Sequence, residues 1–231
     1  MDIGIIGSGN IGSTLTRHLT ALGHQVSIAN SRGPASLAAL AAETGATAVT
    51  AEQAARADDL VIIAVPQKAV QELPRDILSK TSAVVVDTGN YYPSRDGPIA
   101  EIEGGSTDSE WVARILGKAV INAFNNIVAG SLAMRGVSPG DPRRVGISVA
   151  GDDPGAKEMV QDLIRALGFD TIDAGSLADS WRQQPGTPAY CRDLDSDALK
   201  AALAQADAGR IAAYRLKADE EAAPYFAAAK S

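Results

Sequence analysis

A glycine-rich loop near the start of the sequence has the residue spacing of a phosphate-binding turn. Gly7, Gly9 and Gly12 form a GxGxxG pattern that directly follows an apolar segment and opens an amphipathic one. In that context the first glycine permits a tight turn, the second lets the backbone approach a pyrophosphate, and the third allows close helix packing. Free N–H groups at the helix start then face the anion. The loop is predicted to bind a dinucleotide, the alternative being an ordinary glycine-rich turn.

The residues that end the second predicted strand indicate which dinucleotide is bound. In NAD sites that strand ends, roughly 20 residues beyond the loop, in an Asp or Glu that binds the ribose hydroxyls. This chain instead has Asn30, Ser31 and Arg32. A carboxylate would repel a 2′-phosphate, whereas a guanidinium pairs with it and a serine hydroxyl donates to it. The sequence therefore favours NADP(H), the alternative being that Arg32 is a solvated loop residue.

Three further strand ends are expected to surround the nicotinamide half of the cofactor, because ligands of an open parallel sheet lie beyond the carboxyl ends of its strands. These ends comprise Ala64, Val65 and Pro66, then Asp87 to Asn90, then Ala123, Phe124, Asn125 and Asn126. Small residues and a proline leave room for a flat ring. Asn90 and Asn125 can hydrogen-bond an amide or hydroxyl, and both are equally compatible with a role in the turns.

These strand ends offer few groups for acid–base chemistry. Asp87 is the only titratable side chain among them, and its simpler role is to accept N–H groups of the following turn. We assign no catalytic side chain. Cys191 is the only cysteine and His18 and His24 are the only histidines, so no metal site is expected. Positioning of two ring systems for hydride transfer is then the main task of the protein.

The overall composition describes a folded globular protein and narrows its partners. Hydrophobic residues make up 45% and charged residues 21% of the 231 positions, and the net charge is -7. With this charge the protein has no overall basic field that would attract nucleic acid or an anionic membrane, so we expect neither as a partner. The longest apolar run, from Leu60 to Pro66, is too short to span a membrane. Because the first residues lack the basic region of a secretion signal, we expect a cytoplasmic protein.

Hydropathy patterns predict the elements that position these residues. Short apolar runs alternate with amphipathic stretches as far as about Gly175, which indicates an α/β fold, a Rossmann-type doubly wound and mainly parallel sheet. The predicted strands are 2–6, 25–29, 46–49, 60–65, 83–87, 119–122 and 145–150, and the predicted helices are 11–22, 36–44, 51–57 and 153–167. Residues 1–178 form the predicted nucleotide-binding domain. Residues 179–231 form a small C-terminal helical appendage with a helix over about 195–218. Arg143 and Arg144 are expected to be solvated in a surface loop.

Several segments, taken in order, resemble those of the NADP oxidoreductases that use the deazaflavin coenzyme F420. The segments are GIIGSGNIG, NSRGP, VIIAVP, VVVDTGNYY, INAFNN, VAGDD and ALGFDTIDAGSLADS, which together cover about residues 1–180. The resemblance implies that Ser8, Asn10 and Ile11 accompany the loop glycines and that Ser31 and Arg32 hold the 2′-phosphate. It also implies that Val65, Pro66, Ala123 and Phe124 line the nicotinamide, and that the protein is a homodimer.

The sequence departs from that family after Leu177, where a polar and turn-rich segment replaces an apolar helix. Arg182 and Tyr190 lie in this segment and are hypothesised to contact the second substrate, because an arginine with a tyrosine can hold an anionic group beside a ring. The alternative is that they anchor the C-terminal helix. F420 is the lead candidate for the second cofactor or substrate. The alternatives are an NADPH-dependent reductase of a flavin or a small carbonyl or imine compound, and a non-catalytic NADP-binding sensor.

Overall fold

A six-stranded parallel sheet forms the centre of the protein in the computed structural model, which describes residues 1–228. Its strands, in chain order, are β1 (Asp2–Ile6), β2 (Gln25–Ala29), β3 (Thr47–Ala48), β4 (Leu60–Ile63), β5 (Val84–Asp87) and β6 (Ile121–Asn122). Their order across the sheet is β3-β2-β1-β4-β5-β6, and every neighbouring pair is parallel. This is the strand order of a Rossmann-type sheet and confirms the predicted fold class.

Helices flank the sheet and follow its strands. They are α1 (Asn10–Ala21), α2 (Ala38–Thr44), α3 (Ala51–Ala54), α4 (Arg75–Leu78), α5 (Pro93–Asp96), α6 (Ala100–Glu103), α7 (Asp108–Leu116), α8 (Ala129–Met134), α9 (Pro154–Ala166), α10 (Ser196–Gln205) and α11 (Ile211–Ala228). Short 3-10 helices cover 34–37, 67–72, 177–183 and 208–210. Within residues 1–228, none of these helices is long and apolar enough to cross a membrane.

Two buried clusters, one on each face of the sheet, make up most of the core. On one face Ile5 and Ile62 belong to a cluster with Leu15 of α1, and on the other Ile63 belongs to a cluster with Trp111 of α7. Neighbouring residues of a strand point to opposite faces, so a strand covered on both sides is apolar throughout. This explains the continuous Leu-Val-Ile-Ile sequence of β4. The buried strands in turn set the positions of the turns that follow them.

The strand predicted over 145–150 was wrongly placed in the parallel sheet. That segment forms β7 (Gly146–Val149), which pairs with β8 (Asp170–Asp173) in a separate two-stranded sheet. An antiparallel bridge between Asn122 and Ala150 connects the two sheets. β8 escaped prediction because its sequence, DTID, has no apolar run, and three of its residues are only partly buried.

Arg144 is buried, so the prediction that it is solvated was wrong. Its side chain is 5% exposed, and its Nε lies 2.7 Å from an oxygen of Asp170. Its Nη2 also donates to the carbonyl oxygens of Arg165 and Phe169, around the end of α9. The last carbonyls of a helix have no partner within the helix, and a planar guanidinium with five N–H donors satisfies several of them. Arg143, by contrast, is 75% exposed.

The C-terminal part contains two helices in place of the single one predicted over about 195–218. α10 ends at Gln205, and a 3-10 turn in which the Asp207 side chain accepts the N–H of Gly209 separates it from α11. α10 packs on the small sheet through Leu199 and Leu203. α11 instead lies against α5, where Ser94 donates from its backbone and its hydroxyl to Asp219.

Candidate functional site

The glycine loop forms a turn between β1 and α1 that only glycine fits at two positions. Gly7 has φ +115°, and a Cβ there would lie 2.1 Å from the carbonyl oxygen of Ala64 at the end of β4. A Cβ on Gly12 would lie 1.9 Å from the carbonyl oxygen of Gly7. Both distances are far inside van der Waals contact. The two glycines therefore hold α1 close against the ends of the two central strands.

Gly9 serves a different purpose, because the space beside it is open. Among residues 1–228, no atom lies within 4 Å of the position that a Cβ would take on Gly9. Gly9 also precedes the first turn of α1, which has no side-chain cap and no acidic residue. The N–H groups of that turn are therefore available to an anion, and the positive end of the helix dipole favours one. The loop fits a pyrophosphate.

A cavity of about 460 Å³ opens at this loop and is lined by four segments that are distant in the sequence, one of them represented by Ala51. It brings together the predicted site residues Gly7, Ser8, Gly9, Asn30, Ser31, Arg32, Ala64, Val65 and Pro66. Ala69, Glu72 and Leu73, from the 3-10 helix after β4 and the residue that follows it, complete one wall. The cavity lies at the carboxyl ends of β1, β2 and β4. Its size is within the range of small-molecule and cofactor sites.

Asn30 fastens the loop after β2 to the glycine loop. Its Nδ2 donates to the hydroxyl of Ser8 at 3.0 Å, and its Oδ1 accepts the backbone N–H of Arg32 at 3.0 Å. The same oxygen accepts the hydroxyl of Ser36 at 3.1 Å. Asn30 thus orients the turn that carries Ser31 and Arg32, a role that the sequence alone did not reveal. Within residues 1–228 the guanidinium of Arg32 has no hydrogen-bond or ionic partner, and it is exposed.

The residues after β5 and β6 that were predicted to border the nicotinamide contact the core and the C-terminal segment. Ala123 and Phe124 are buried in the core, at 0% and 1% exposure. Asn125 donates to the carbonyl oxygen of Gln183 and to Oδ1 of Asn90, and Asn90 donates to the carbonyl oxygen of Asn125. The two asparagine side chains therefore bind each other and the C-terminal segment. Their contact with a cofactor stays a prediction.

Two buried carboxyl groups lie beneath the turn after β5. Asp87 accepts the N–H of Gly89 at 2.9 Å, as predicted for this turn, and the hydroxyl of Ser109 at 2.6 Å. Burial raises the pKa of Asp87, while these hydrogen bonds oppose the rise. Asp108 accepts the N–H of Tyr91 at 2.8 Å, and burial raises its pKa to about 7.

Asp108 is not among the predicted site residues, because the predicted helices do not include 108–116. A usable signal was present in the sequence, since Thr107 and Glu110 have the spacing of a capping box. The structure contains both of its reciprocal hydrogen bonds. Among the described residues no group of three or more His, Cys, Asp or Glu side chains is placed to hold a metal ion.

Arg182 and Tyr190, the residues proposed to contact a second substrate, lie in different places. Arg182 pairs with Asp179 at 2.7 Å and lines an open cavity of about 680 Å³ beside α10. Tyr190 lines another cavity, of about 400 Å³, and its hydroxyl lies 2.6 Å from that of Tyr92. Neither residue lines the cavity at the glycine loop. The structure therefore separates the two residues, and it places Tyr190 against Tyr92, a residue that the sequence did not single out.

Comparison with known proteins agrees with the nucleotide-binding geometry at the N-terminal end. Residues 2–91 match the family described as NADP oxidoreductase, coenzyme F420-dependent. The match spans β1 to β5 and ends just beyond the turn at Asn90. It therefore includes the glycine loop, the loop after β2 and the turn after β4.

Individual proteins extend the similarity over more of the chain. The hypothetical protein SMa0349 from Sinorhizobium meliloti is 35% identical, with a TM-score of 0.69, and the alignment covers 85% of this chain and 97% of that one. A protein from Arthrobacter sp. FB24, assigned as an F420-dependent NADP reductase, shares the fold at 23% identity, with a TM-score of 0.65, over 78% of this chain and 87% of that one. Escherichia coli (strain K12) YjhV is 41% identical over 70 residues, 30% of this chain and 51% of YjhV. The chain thus matches about half of the length of that curated relative.

Proposed function

The chain belongs to the family of coenzyme F420-dependent NADP oxidoreductases, and on this premise we propose that it transfers a hydride between NADP(H) and a second, small-molecule acceptor. One observation carries the proposal. The open face of Gly9, the uncapped start of α1 and the exposed guanidinium of Arg32 all border one cavity, where a dinucleotide phosphate chain and a 2′-phosphate fit together.

Each part of the proposed site has a defined task. The backbone around Gly9, with Ser8, Asn10 and Ile11, would bind the pyrophosphate. Ser31 and Arg32 would bind the 2′-phosphate, held in place by Asn30. Val65 and Pro66 would border the path toward the nicotinamide. When bound, NADPH supplies a hydride from C4 of its nicotinamide.

We propose F420 as the lead acceptor on the strength of the family match, which ends at residue 91. A flavin or a small carbonyl or imine compound is the second candidate. It is favoured by the polar segment 180–191, which departs from the family pattern and lines separate cavities. Resemblance to the family also leads us to propose a homodimer. Met134 in α8, 82% exposed, offers apolar surface for such contact, and sedimentation equilibrium tests it.

The experiment that tests the function has a binding part and a turnover part. Calorimetric titration with NADPH and NADH measures cofactor affinity, and NADPH oxidation is then followed with F420, FMN, FAD and a panel of small carbonyl and imine compounds. We expect NADPH to bind more tightly than NADH and at least one acceptor to support turnover. Equal affinities would overturn the NADP assignment. Tight NADPH binding without turnover on any acceptor would indicate a sensor.

A further inference from the structure

A second cavity lies between the loop 186–192, the turn after β5 and the helix α11. Its volume is about 400 Å³, and Tyr92, Tyr190, Arg192, Lys217 and Tyr225 are among the residues that line it. That volume is enough for a ligand of one or two rings. None of these side chains lines the cavity at the glycine loop, so this second cavity is available for a different molecule.

The tyrosine pair gives this cavity a hydrogen-bond donor. The hydroxyl groups of Tyr92 and Tyr190 lie 2.6 Å apart, and the Tyr190 hydroxyl also forms a hydrogen bond with the Cys191 thiol. With the thiol donating to Tyr190 and Tyr190 donating to Tyr92, the proton of the Tyr92 hydroxyl stays available for another acceptor. Burial raises the pKa of Tyr92 to about 12 and that of Tyr190 well above its usual value. Both hydroxyls therefore stay protonated near neutral pH. A carbonyl oxygen or imine nitrogen is the acceptor that such a group suits.

The charged residues around the cavity favour an anion. Arg192 is exposed and its guanidinium has no ionic partner within residues 1–228. Lys217 has only a loose pair with Glu221, at 3.9 Å, and the two side chains are 75% and 70% exposed. Two cations thus face one carboxylate. Tyr225, itself 77% exposed, adds an aromatic ring against which a flat ligand can pack.

The cavity is joined directly to the turn at the carboxyl end of β6. The N–H of Cys191 donates to the carbonyl oxygen of Asn126 at 2.9 Å. Cys191 and Phe124, two residues before Asn126, are the non-glycine residues with positive φ among the described residues, at 49° and 63°. Backbone conformations of this kind are costly and concentrate at functional sites. Ligands of a parallel sheet bind beyond such strand ends, so the cavity adjoins the region expected for a reacting group.

We propose that this cavity binds the acceptor, and that the acceptor is a planar carbonyl compound with a carboxylate or phosphate group. The tyrosine pair donates to its carbonyl oxygen, Arg192 and Lys217 contact its anionic group, and Tyr225 packs on its ring. The proposal rests on the proposed function, since it names the second substrate of the same reaction. It replaces the pairing of Tyr190 with Arg182 by a pairing of Tyr190 with Tyr92.

Calorimetry with phenylpyruvate, an anionic carbonyl compound that carries a flat aromatic ring, tests the proposal without turnover. Saturable binding is expected, and the methyl ester of phenylpyruvate, which lacks the charge, should bind about tenfold more weakly. Tyr92→Phe and Tyr190→Phe should each weaken phenylpyruvate binding by about threefold to tenfold. Tyr214→Phe is the matched control, because it removes the same hydroxyl group from a tyrosine of α11 that lines a different cavity, and it should leave phenylpyruvate affinity unchanged.

The NADPH titration keeps the two proposals separate. If NADPH binds and phenylpyruvate does not, or if phenylpyruvate and its ester bind equally, the acceptor proposal is overturned while the proposed function stands. If phenylpyruvate binds as expected and NADPH does not, the proposed function fails. Unchanged phenylpyruvate affinity in both tyrosine variants, with melting temperatures equal to that of the parent, would also overturn the assignment of the tyrosine pair.

Discussion

Replacement of Arg32 by alanine separates cofactor binding from folding. The guanidinium is exposed and has no partner within residues 1–228, so its loss should leave the free energy of unfolding unchanged. The substitution should then change only the binding free energy that Arg32 contributes through the 2′-phosphate. A hydrogen bond to a charged group contributes about 1.5 to 3 kcal/mol. Since about 1.4 kcal/mol is a tenfold change, the Kd for NADPH should rise by roughly 10- to 150-fold. NADH lacks that phosphate and should bind as before.

Calorimetric titration of NADPH and NADH with the parent and the variant measures this difference. The effect should shrink as salt is added, because an exposed ionic contact is screened. Arg143→Ala is the matched control, since that arginine is 75% exposed in a loop that does not line the cavity. An equal loss of affinity for NADPH and NADH would mean that Arg32 contacts a part of the cofactor that both share. No loss for either would refute its contact with phosphate.

Three further changes probe the loop, the core and pH dependence. Gly9→Ala should leave the melting temperature unchanged, because no atom of residues 1–228 lies within 4 Å of the added methyl. It should weaken NADPH binding at least about tenfold in calorimetry, and unchanged affinity would contradict the pyrophosphate assignment. Arg144→Met should lower the free energy of unfolding in urea by about 3 kcal/mol, because buried carbonyl oxygens lose their hydrogen-bond donor and Asp170 loses its ionic partner. A decrease of less than about 1 kcal/mol would contradict this. Burial raises the pKa of Asp108 to about 7, so the folded protein binds that proton more tightly than the unfolded chain. Stability should therefore fall as pH rises from about 4 to about 7, less steeply in Asp108→Asn, and equal slopes in the two proteins would refute this.

Local patterns made the nucleotide-binding end of the protein predictable. The positions of Gly7, Gly9 and Gly12 follow from the short-range geometry of one strand, one turn and one helix, and the flanking apolar run identifies the strand. The position of the same loop in the sequence indicates which residues follow β2. Their meeting with Val65 in one cavity follows from the general rule that parallel strands end at one edge.

Contacts between distant segments were not predictable in the same way. The hydroxyls of Tyr92 and Tyr190 meet across 98 positions, and nothing in the residues around either one indicates the other. Arg144 looked like a loop residue because its partners come from the end of α9 and from β8, a strand without an apolar run. Tertiary packing determines the surroundings of such residues. These surroundings cannot be inferred from the composition or periodicity of one segment.

The attachment of α11 has a consequence for the order in which the protein folds and opens. Asp219 meets Ser94 across 125 positions, so a long loop must close before this contact can form. Ala218 is the one buried residue of α11 between 211 and 228, and the ring of Phe226, with its centroid 5.1 Å from that of Tyr92, supplies a further contact. An element with few buried contacts docks late and detaches at a low free energy, while the central sheet stays folded. Detachment of α11 would therefore uncover the cavity beside Tyr92 without global unfolding and give a ligand a route in and out.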